Sequence, residues 1–333
     1  MTHPSPLPQV LGLLRDQGLV GAQTPWRLLK SVETPGEERK VYLLSPLQGP
    51  ALIVKHMPAL AEATFATLDQ TYRTLAAALP AEGGNRMAPL VHVDAAARVM
   101  VFTHESGLTA HARLEAAEIS LDSRAEVIRA MGAWLRQLHD GGGVEAPREV
   151  SFDGGDILRR TRRLAREVRA GQRAVAQPKR FLGLCAFVHQ VLEAAQGARC
   201  IEGLRHGDPH GRNFIFAKDA LVAIDPIPRG VGPVAWDIAR LTTRLVYSLG
   251  PTAEAGSTEG LARLAPQDWE ALATGYGQDW RSDPVLKAFL CRQALADWSL
   301  LPAERSARSA AQQRRLERVV GLVAQLRGQG PQA

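Results

Sequence analysis

The sequence predicts an α+β protein of two lobes: a small antiparallel-sheet lobe over 1–105 and a larger, mostly helical lobe over 106–333. Three observations carry this. A chain of 333 residues is too long for one simple core. Its first hundred residues hold short apolar runs broken by Gly, Pro and charged residues, the pattern of strands joined by hairpin loops. Beyond Glu105 that pattern almost disappears, and apolar residues recur three or four positions apart.

In chain order, residues 7–20 read as a short helix. Strands are expected at Trp26–Val32, Lys40–Leu44 and Ala51–Lys55, separated by ETPGEER and SPLQGP. From Pro58 to Leu79 the spacing of Leu60, Phe65, Leu68, Tyr72, Leu75 and Leu79 predicts a helix. PLVHV and RVMVF form another strand pair, with Asp94 and three alanines at the turn, and a hinge follows near 103–108. In the second lobe AEVIRAMGAWLRQLHDGGG puts Ile128, Met131, Leu135 and Leu138 on one face ahead of a glycine stop. His139, at that end, is expected to be a helix-terminal residue favoured by the dipole. An Arg-rich segment and a helix over about Phe181–Gln196 come next; FIFA and LVAID then flank the turn KDA, and Trp236 to Arg327 is helical in pattern.

Composition narrows the function classes. The chain is 45% hydrophobic and 22% charged, as in soluble globular proteins. It holds no run of about 18 apolar residues, and its first residues do not read as a secretion signal. Cys185, Cys200 and Cys291 fall in no metal or redox pattern and are expected as reduced, buried thiols of a cytoplasmic protein. The net charge is +6, and nine Lys/Arg lie between Arg159 and Arg180 against the single acid Glu167. Such a stretch is a solvated helix face or an attractor of anions. With few aromatics and no recognised nucleic-acid module, nucleic acid is not the expected partner. No GxxxxGK[ST] occurs, which excludes a P-loop enzyme.

The chemistry concentrates in RHGDPHGRNFIF, residues 205–216. Asn213 is one of two asparagines in the chain and follows Asp208 by five positions. FIFAKDALVAID reads as a tight hairpin, so Asn213 and Asp225 at its two ends should lie side by side. A carboxylate plus an amide carbonyl suits Mg²⁺, which keeps waters and takes further ligands from phosphates. Asp208 is then left to orient a hydroxyl or accept its proton. Two metal holders and one residue aiming the nucleophile are what phosphoryl transfer requires. A rival reading makes Asp208 and Asp225 an acid/base pair for glycoside hydrolysis, but it leaves Asn213 and Lys55 unexplained.

HGDPHGRN, IDP and GPVAWDIARL together resemble the aminoglycoside phosphotransferase family, whose fold is that of the protein kinases. ALIVK is similar to that family's third strand, and GAWLRQLHDGG to its helix ahead of the catalytic loop. The resemblance implies a protein-kinase-like fold using ATP, or GTP, with Mg²⁺. It makes Asp208 the catalytic aspartate, Asn213 and Asp225 the Mg²⁺ ligands, and Lys55 the contact to the α- and β-phosphates. His206 and Asp237 would brace the loop, and backbone groups near Thr103–Glu105 would meet the nucleotide base. Three features depart from the family pattern. Arg212 stands where the family has a glycine. No Glu occupies 69–71 to pair with Lys55, which leaves Glu62, Asp69 or some other arrangement. TPGEER, at the phosphate-covering position, has one glycine.

The expected partners are a nucleotide and a small-molecule hydroxyl acceptor. The acceptor is expected to be neutral or anionic and sugar-like rather than a polycationic aminoglycoside, because Arg159–Arg180 and Arg305–Arg327 are strongly basic. Asp268, Asp279 or Asp297 could still supply local acid. Trp269, Tyr276, Trp280 and Trp298 could line a pocket, although aromatics at such spacings are more often core. The alternative to an enzyme is a catalytically silent, kinase-like scaffold that binds nucleotide.

Overall fold

The computed structural model describes residues 7–34, 37–227, 230–249 and 263–328. They fall into two compact units, one drawn from 1–107 and 215–228, the other from 108–214 and 229–333.

The first unit runs α1 (Leu7–Asp16), β1 (Trp26–Thr34), β2 (Glu37–Leu44), β3 (Leu52–His56), α2 (Glu62–Ala77), β4 (Gly84–Met87), β5 (Leu90–Asp94) and β6 (Val99–Thr103). Five strands form an antiparallel sheet in the order β1-β2-β3-β6-β5. Side chains alternate across a strand, so in LIVKH Leu52 and Val54 are buried while Ile53 and Lys55 share the other, half-buried face. Leu52 and Val54 pack with Val10, Leu14, Leu44 and Val101 in one core. Lys55 sits opposite Val41 on one side and Met100 on the other. That register sets its direction.

The second unit starts with β7 (Leu108–Thr109), α3 (Ala110–Ala117), α4 (Arg124–His139), β8 (Arg148–Ser151), α5 (Gly155–Arg169), α6 (Pro178–Ala195) and β9 (Arg199–Leu204). After β10 (Phe214–Phe216) and β11 (Ala220–Ala223), it resumes with β12 (Val231–Pro233), α7 (Ala235–Leu249), α8 (Pro266–Tyr276), α9 (Pro284–Ser299) and α10 (Ala310–Leu326). The Ser123 side chain accepts from the Glu126 amide and caps α4, which buries Ile128, Met131, Leu135 and Leu138. Bare glycines let α4 and α8 approach closely. A Cβ on Gly275 would stand 2.0 Å from the Arg129 carbonyl oxygen, and one on Gly132 3.0 Å from that of Leu272.

Three differences from the sequence expectations have physical reasons. The hairpin within 215–228 belongs to the first unit rather than to the body of 106–333, because β11 is buried throughout and pairs in parallel with β4. β4 itself, GNRM, carries no apolar alternation and is invisible to pattern reading. In the second unit β8 and β9 join β12 in an antiparallel sheet; REVS and RCIEGL are too short and polar to announce strands. Trp269, Tyr276, Trp280 and Trp298 are each at most 3% exposed and belong to the core. α5 buries Ile157, Thr161 and Ala165, leaving most of its arginines outside. All three cysteines are buried free thiols. Among the described residues no helix is long and apolar enough to cross a membrane.

Candidate active site

In the second unit β9 delivers the chain into the loop 205–213. Gly207 has φ 84°, a left-handed conformation that glycine adopts without steric cost. The turn is held from below by Asp237, fully buried in the first turn of α7. Its carboxylate accepts from the amides of His206 at 2.7 Å and Gly207 at 2.9 Å. His139 Nε2 lies 3.2 Å from the same carboxylate, and His139 Nδ1 lies 2.9 Å from the Tyr276 hydroxyl. Burial pushes the Asp237 carboxyl upward, but the hydrogen bond and charge of His139, with His206 and Arg205, outweigh it and hold it below the usual carboxylate range. His139 is therefore part of a buried bracing network rather than a simple helix-end residue.

His206 is wholly buried, its ring stacked on Phe214 and edge-on to Trp134. Its Nδ1 accepts from the Asp208 amide at 3.3 Å. The Trp236 indole donates to the Gly207 carbonyl at 3.3 Å. The loop is thus fixed on both sides of Gly207.

The Asp208 side chain is itself held. Arg240, one turn beyond Asp237 on α7, donates from Nε to Asp208 Oδ1 at 2.9 Å. Its Nη1 donates to Gln293 Oε1 at 3.0 Å, and Gln293 Nε2 donates to Asp297 Oδ2 at 2.8 Å. His210 Nε2 stands 3.5 Å from Asp208 Oδ2. Burial, followed by the opposing pull of Asp208 and the repulsion of Arg244, His206 and Arg240, leaves His210 below its ordinary value. Sequence reading missed Arg240, whose only signal was its place one helical turn after the bracing aspartate.

Asn213 ends a 3-10 turn, Gly211–Asn213, that the His210 side chain caps by accepting from the Arg212 amide at 3.2 Å. Its Nδ2 donates to the Asp208 carbonyl at 3.0 Å. The amide is thereby oriented, with Oδ1 as the remaining acceptor. Arg212 is absent from the positive-φ residues, so its replacement of a glycine imposes no strain. Gly211 is the constrained position, since a Cβ there would lie 3.0 Å from the His111 amide nitrogen.

In the first unit Lys55 forms an ion pair with Asp225 and lies 4.6 Å from the centre of the Phe102 ring. Asp225 has φ 56°, a left-handed backbone that is uncommon outside glycine, although aspartate adopts it more readily than most, and that recurs at functional sites. The open question of the lysine's partner is answered: Glu62 pairs with Arg98, Asp69 with Arg73, and Lys55 with Asp225. α2 turns Thr71 and Tyr72 inward where an acid was sought, and the Tyr72 hydroxyl donates to the Ala88 carbonyl. Burial first, then Asp225 and Glu105, push that phenol well above its usual value. The Thr103 and His104 amides donate to the Pro89 and Ala51 carbonyls at 3.0 and 2.8 Å. Glu105 takes Arg86 through two contacts of 2.6 and 3.0 Å. The glycine of TPGEER, Gly36, lies outside the described residues.

Among the described residues no group of three or more His, Cys, Asp or Glu could hold a metal ion. Asp225 in the first unit offers a carboxylate, and Asn213 in the second offers an oriented amide oxygen. Each is a hard oxygen donor, the kind that suits Mg²⁺ with water and phosphate as its other ligands, and neither is the nitrogen or sulfur donor typical of a zinc site.

The three acids considered for a cation-binding pocket are occupied. Arg124 grips Asp268 at 2.8 and 2.7 Å, Arg281 lies 2.7 Å from Asp279, and Arg315 pairs with Asp297.

Residues 32–282 match the model of a phosphotransferase enzyme family. Among solved structures, an amicoumacin kinase in complex with AMP-PNP, Ca²⁺ and Ami is similar at TM-score 0.59 and 15% identity, over 95% of this chain and 93% of that one. A choline/ethanolamine kinase family protein from Mesorhizobium loti is similar at TM-score 0.56 and 16% identity, over 96% and 98%. A macrolide 2'-phosphotransferase from Brachybacterium faecium gives TM-score 0.56 and 12% identity, over 95% and 98%. At these identities the likeness shows the fold, which is the kinase-like α+β fold expected from the sequence. No curated protein is similar enough in sequence to count as a relative.

Proposed function

The chain belongs to the phosphotransferase enzyme family and is a small-molecule kinase; on that premise we propose that it moves the γ-phosphate of ATP to a hydroxyl of a neutral or anionic, sugar-like acceptor. The observation that carries the reading is the Asp208 loop, braced by Asp237 and His206, with Asn213 turned to offer its oxygen.

Asp208 orients the acceptor hydroxyl and takes its proton on a carboxylate oxygen. The bond from the γ-phosphorus to its bridging oxygen breaks as the bond to the acceptor oxygen forms, and ADP leaves. Arg240 fixes Asp208 Oδ1, so Oδ2, beside His210, is the oxygen directed at the hydroxyl. Lys55, paired with Asp225 in this structure, is the residue that would turn to the α- and β-phosphates, and Asp225 and Asn213 are those that would hold Mg²⁺. Bound Mg²⁺ would draw off charge from the phosphate oxygens. Because the Thr103 and His104 amides are already engaged, the base must read this segment through its carbonyls or the Glu105 amide. GTP would meet the same backbone. A cytoplasmic location is supported by its three buried free thiols.

The preference against aminoglycosides is supported by the three arginine-bound acids described above, which leave no carboxylate of that set to meet an ammonium group. Phosphorus NMR of the protein with ATP, Mg²⁺ and cationic, neutral and anionic alcohols tests the reading. A phosphate ester forming with wild type and absent with Asp208→Asn supports it. Efficient, saturable phosphorylation of kanamycin overturns the acceptor class, and ATP bound without any transfer across the panel favours the silent scaffold.

A further inference from the structure

Beside Asp208, the described residues of the second unit hold several cations around two acids. Asp208 is taken by Arg240, and Asp297 by Arg315 and Gln293. Arg318 donates to the Tyr247 carbonyl. Arg244, one turn beyond Arg240 on α7, is left with a single ionic contact among the described residues, Asp297 at 3.9 Å. Its Nε is buried without a hydrogen-bond partner, as is that of Arg315.

A guanidinium that has lost most of its water and gained no close carboxylate is destabilising unless something else completes it. Burial, partly offset by Asp297 and reinforced by Arg240 and Arg315, pulls Arg244 below its ordinary value. The group is nevertheless within reach of a ligand. Side-chain exposures are 23% for Arg244, 30% for Arg315, 27% for His210 and 21% for Asp208, so each keeps an edge in solvent, and contacts link them: Arg244 and Arg315 both reach Asp297, which Gln293 and Arg240 connect to Asp208 beside His210. Arginine presents a planar fork of donors that matches carboxylate and phosphate oxygens. Cationic surroundings whose two acids, Asp208 and Asp297, are already paired would repel an ammonium group here.

We propose that the acceptor carries an oxyanion, a carboxylate or a phosphate, beside the hydroxyl that is phosphorylated, and that Arg244, supported by Arg315 and His210, binds that group. The inference rests on Asp208 being the residue that addresses the hydroxyl. Arg244 then sets both the class of acceptor and which hydroxyl faces Asp208.

The test uses acceptors paired by chemistry, hydroxy acids and sugar phosphates against their neutral counterparts: glycerate with glycerol, glucose 6-phosphate with glucose. Turnover and melting temperature are read in Mg²⁺ with ATP or a non-hydrolysable analogue. Wild type should prefer the acidic member by about a hundredfold in kcat/KM and be protected by it against melting. Arg244→Gln should lose roughly that preference through KM, with the smaller effect in kcat, and Arg244→Lys should keep part of it. Arg244→Gln should also melt no lower than wild type, since the arginine sits among like charges; a purely structural arginine would lower it. The carboxylate and phosphate arms distinguish the two oxyanions. Preference for neutral or cationic members, an acid preference that survives Arg244→Gln, or no effect of any acid on protein that binds Mg·ATP overturns the proposal. Failure of the kinase reading itself would show separately, as absence of Mg²⁺-dependent nucleotide binding.

Discussion

Asp237→Asn replaces the carboxylate that braces the loop with a side chain of the same shape. The carboxylate receives the Gly207 amide on Oδ1, and the His206 amide with His139 Nε2 on Oδ2. An asparagine amide nitrogen can only donate, so one position must face a donor. Placing it toward Gly207 leaves one buried backbone N–H unsatisfied, at about 1–3 kcal/mol, and turns the other two contacts from charge-assisted to neutral, at about 1 kcal/mol each. The expected cost is about 3–5 kcal/mol. For a unit of this size that lowers the melting temperature by roughly 10 °C. The pH dependence has a definite sign. Asp237 is held below the usual carboxylate range, so its contribution is complete above the unfolded value near pH 4 and is lost as pH falls through the lower folded value. The stability gap between wild type and Asp237→Asn should therefore be full at pH 7 and shrink in acid. Thermal denaturation of both proteins between about pH 3 and 8 measures it. A neutral-pH difference under about 2 °C, or a gap that does not change with pH, would refute the bracing role.

Gly275→Ala should destabilise the second unit by about 2–4 kcal/mol in urea, because its Cβ meets backbone rather than a side chain that can move; wild-type stability would mean that α4 and α8 do not approach as described. The three cysteines, with thiols pushed by burial to about 11 for Cys185 and about 12 for Cys200 and Cys291, should be inert to an aromatic disulfide reagent at pH 8 in the native state. All should react on unfolding, and rapid native labelling of any one would contradict its burial.

Much of this arrangement is legible in the residues. The third strand of the first sheet alternates cleanly, and the helix 124–139 has both its apolar face and its cap in the sequence. The Asp208 loop stands out because its chemistry-bearing residues are close in sequence. What escapes is whatever depends on partners distant in the chain. Lys55 finds Asp225 at a separation of 170 residues, and His139 finds Asp237 at 98. Arg240 gains meaning only once α7 is placed under the loop. β4 and β8 are short, polar strands specified by the edges they meet, which no local pattern records. Arg212 can stand in place of the family's glycine because the left-handed backbone of this loop falls on Gly207.

The central claim is tested most directly by titrating ATP calorimetrically into wild type and Asp225→Ala, each with and without Mg²⁺. The account predicts that Mg²⁺ strengthens ATP binding to wild type by at least about tenfold, and that Asp225→Ala abolishes this enhancement because it removes a ligand of the ion. Equal ATP affinity with and without Mg²⁺ in wild type, or an undiminished Mg²⁺ effect in Asp225→Ala, would contradict it.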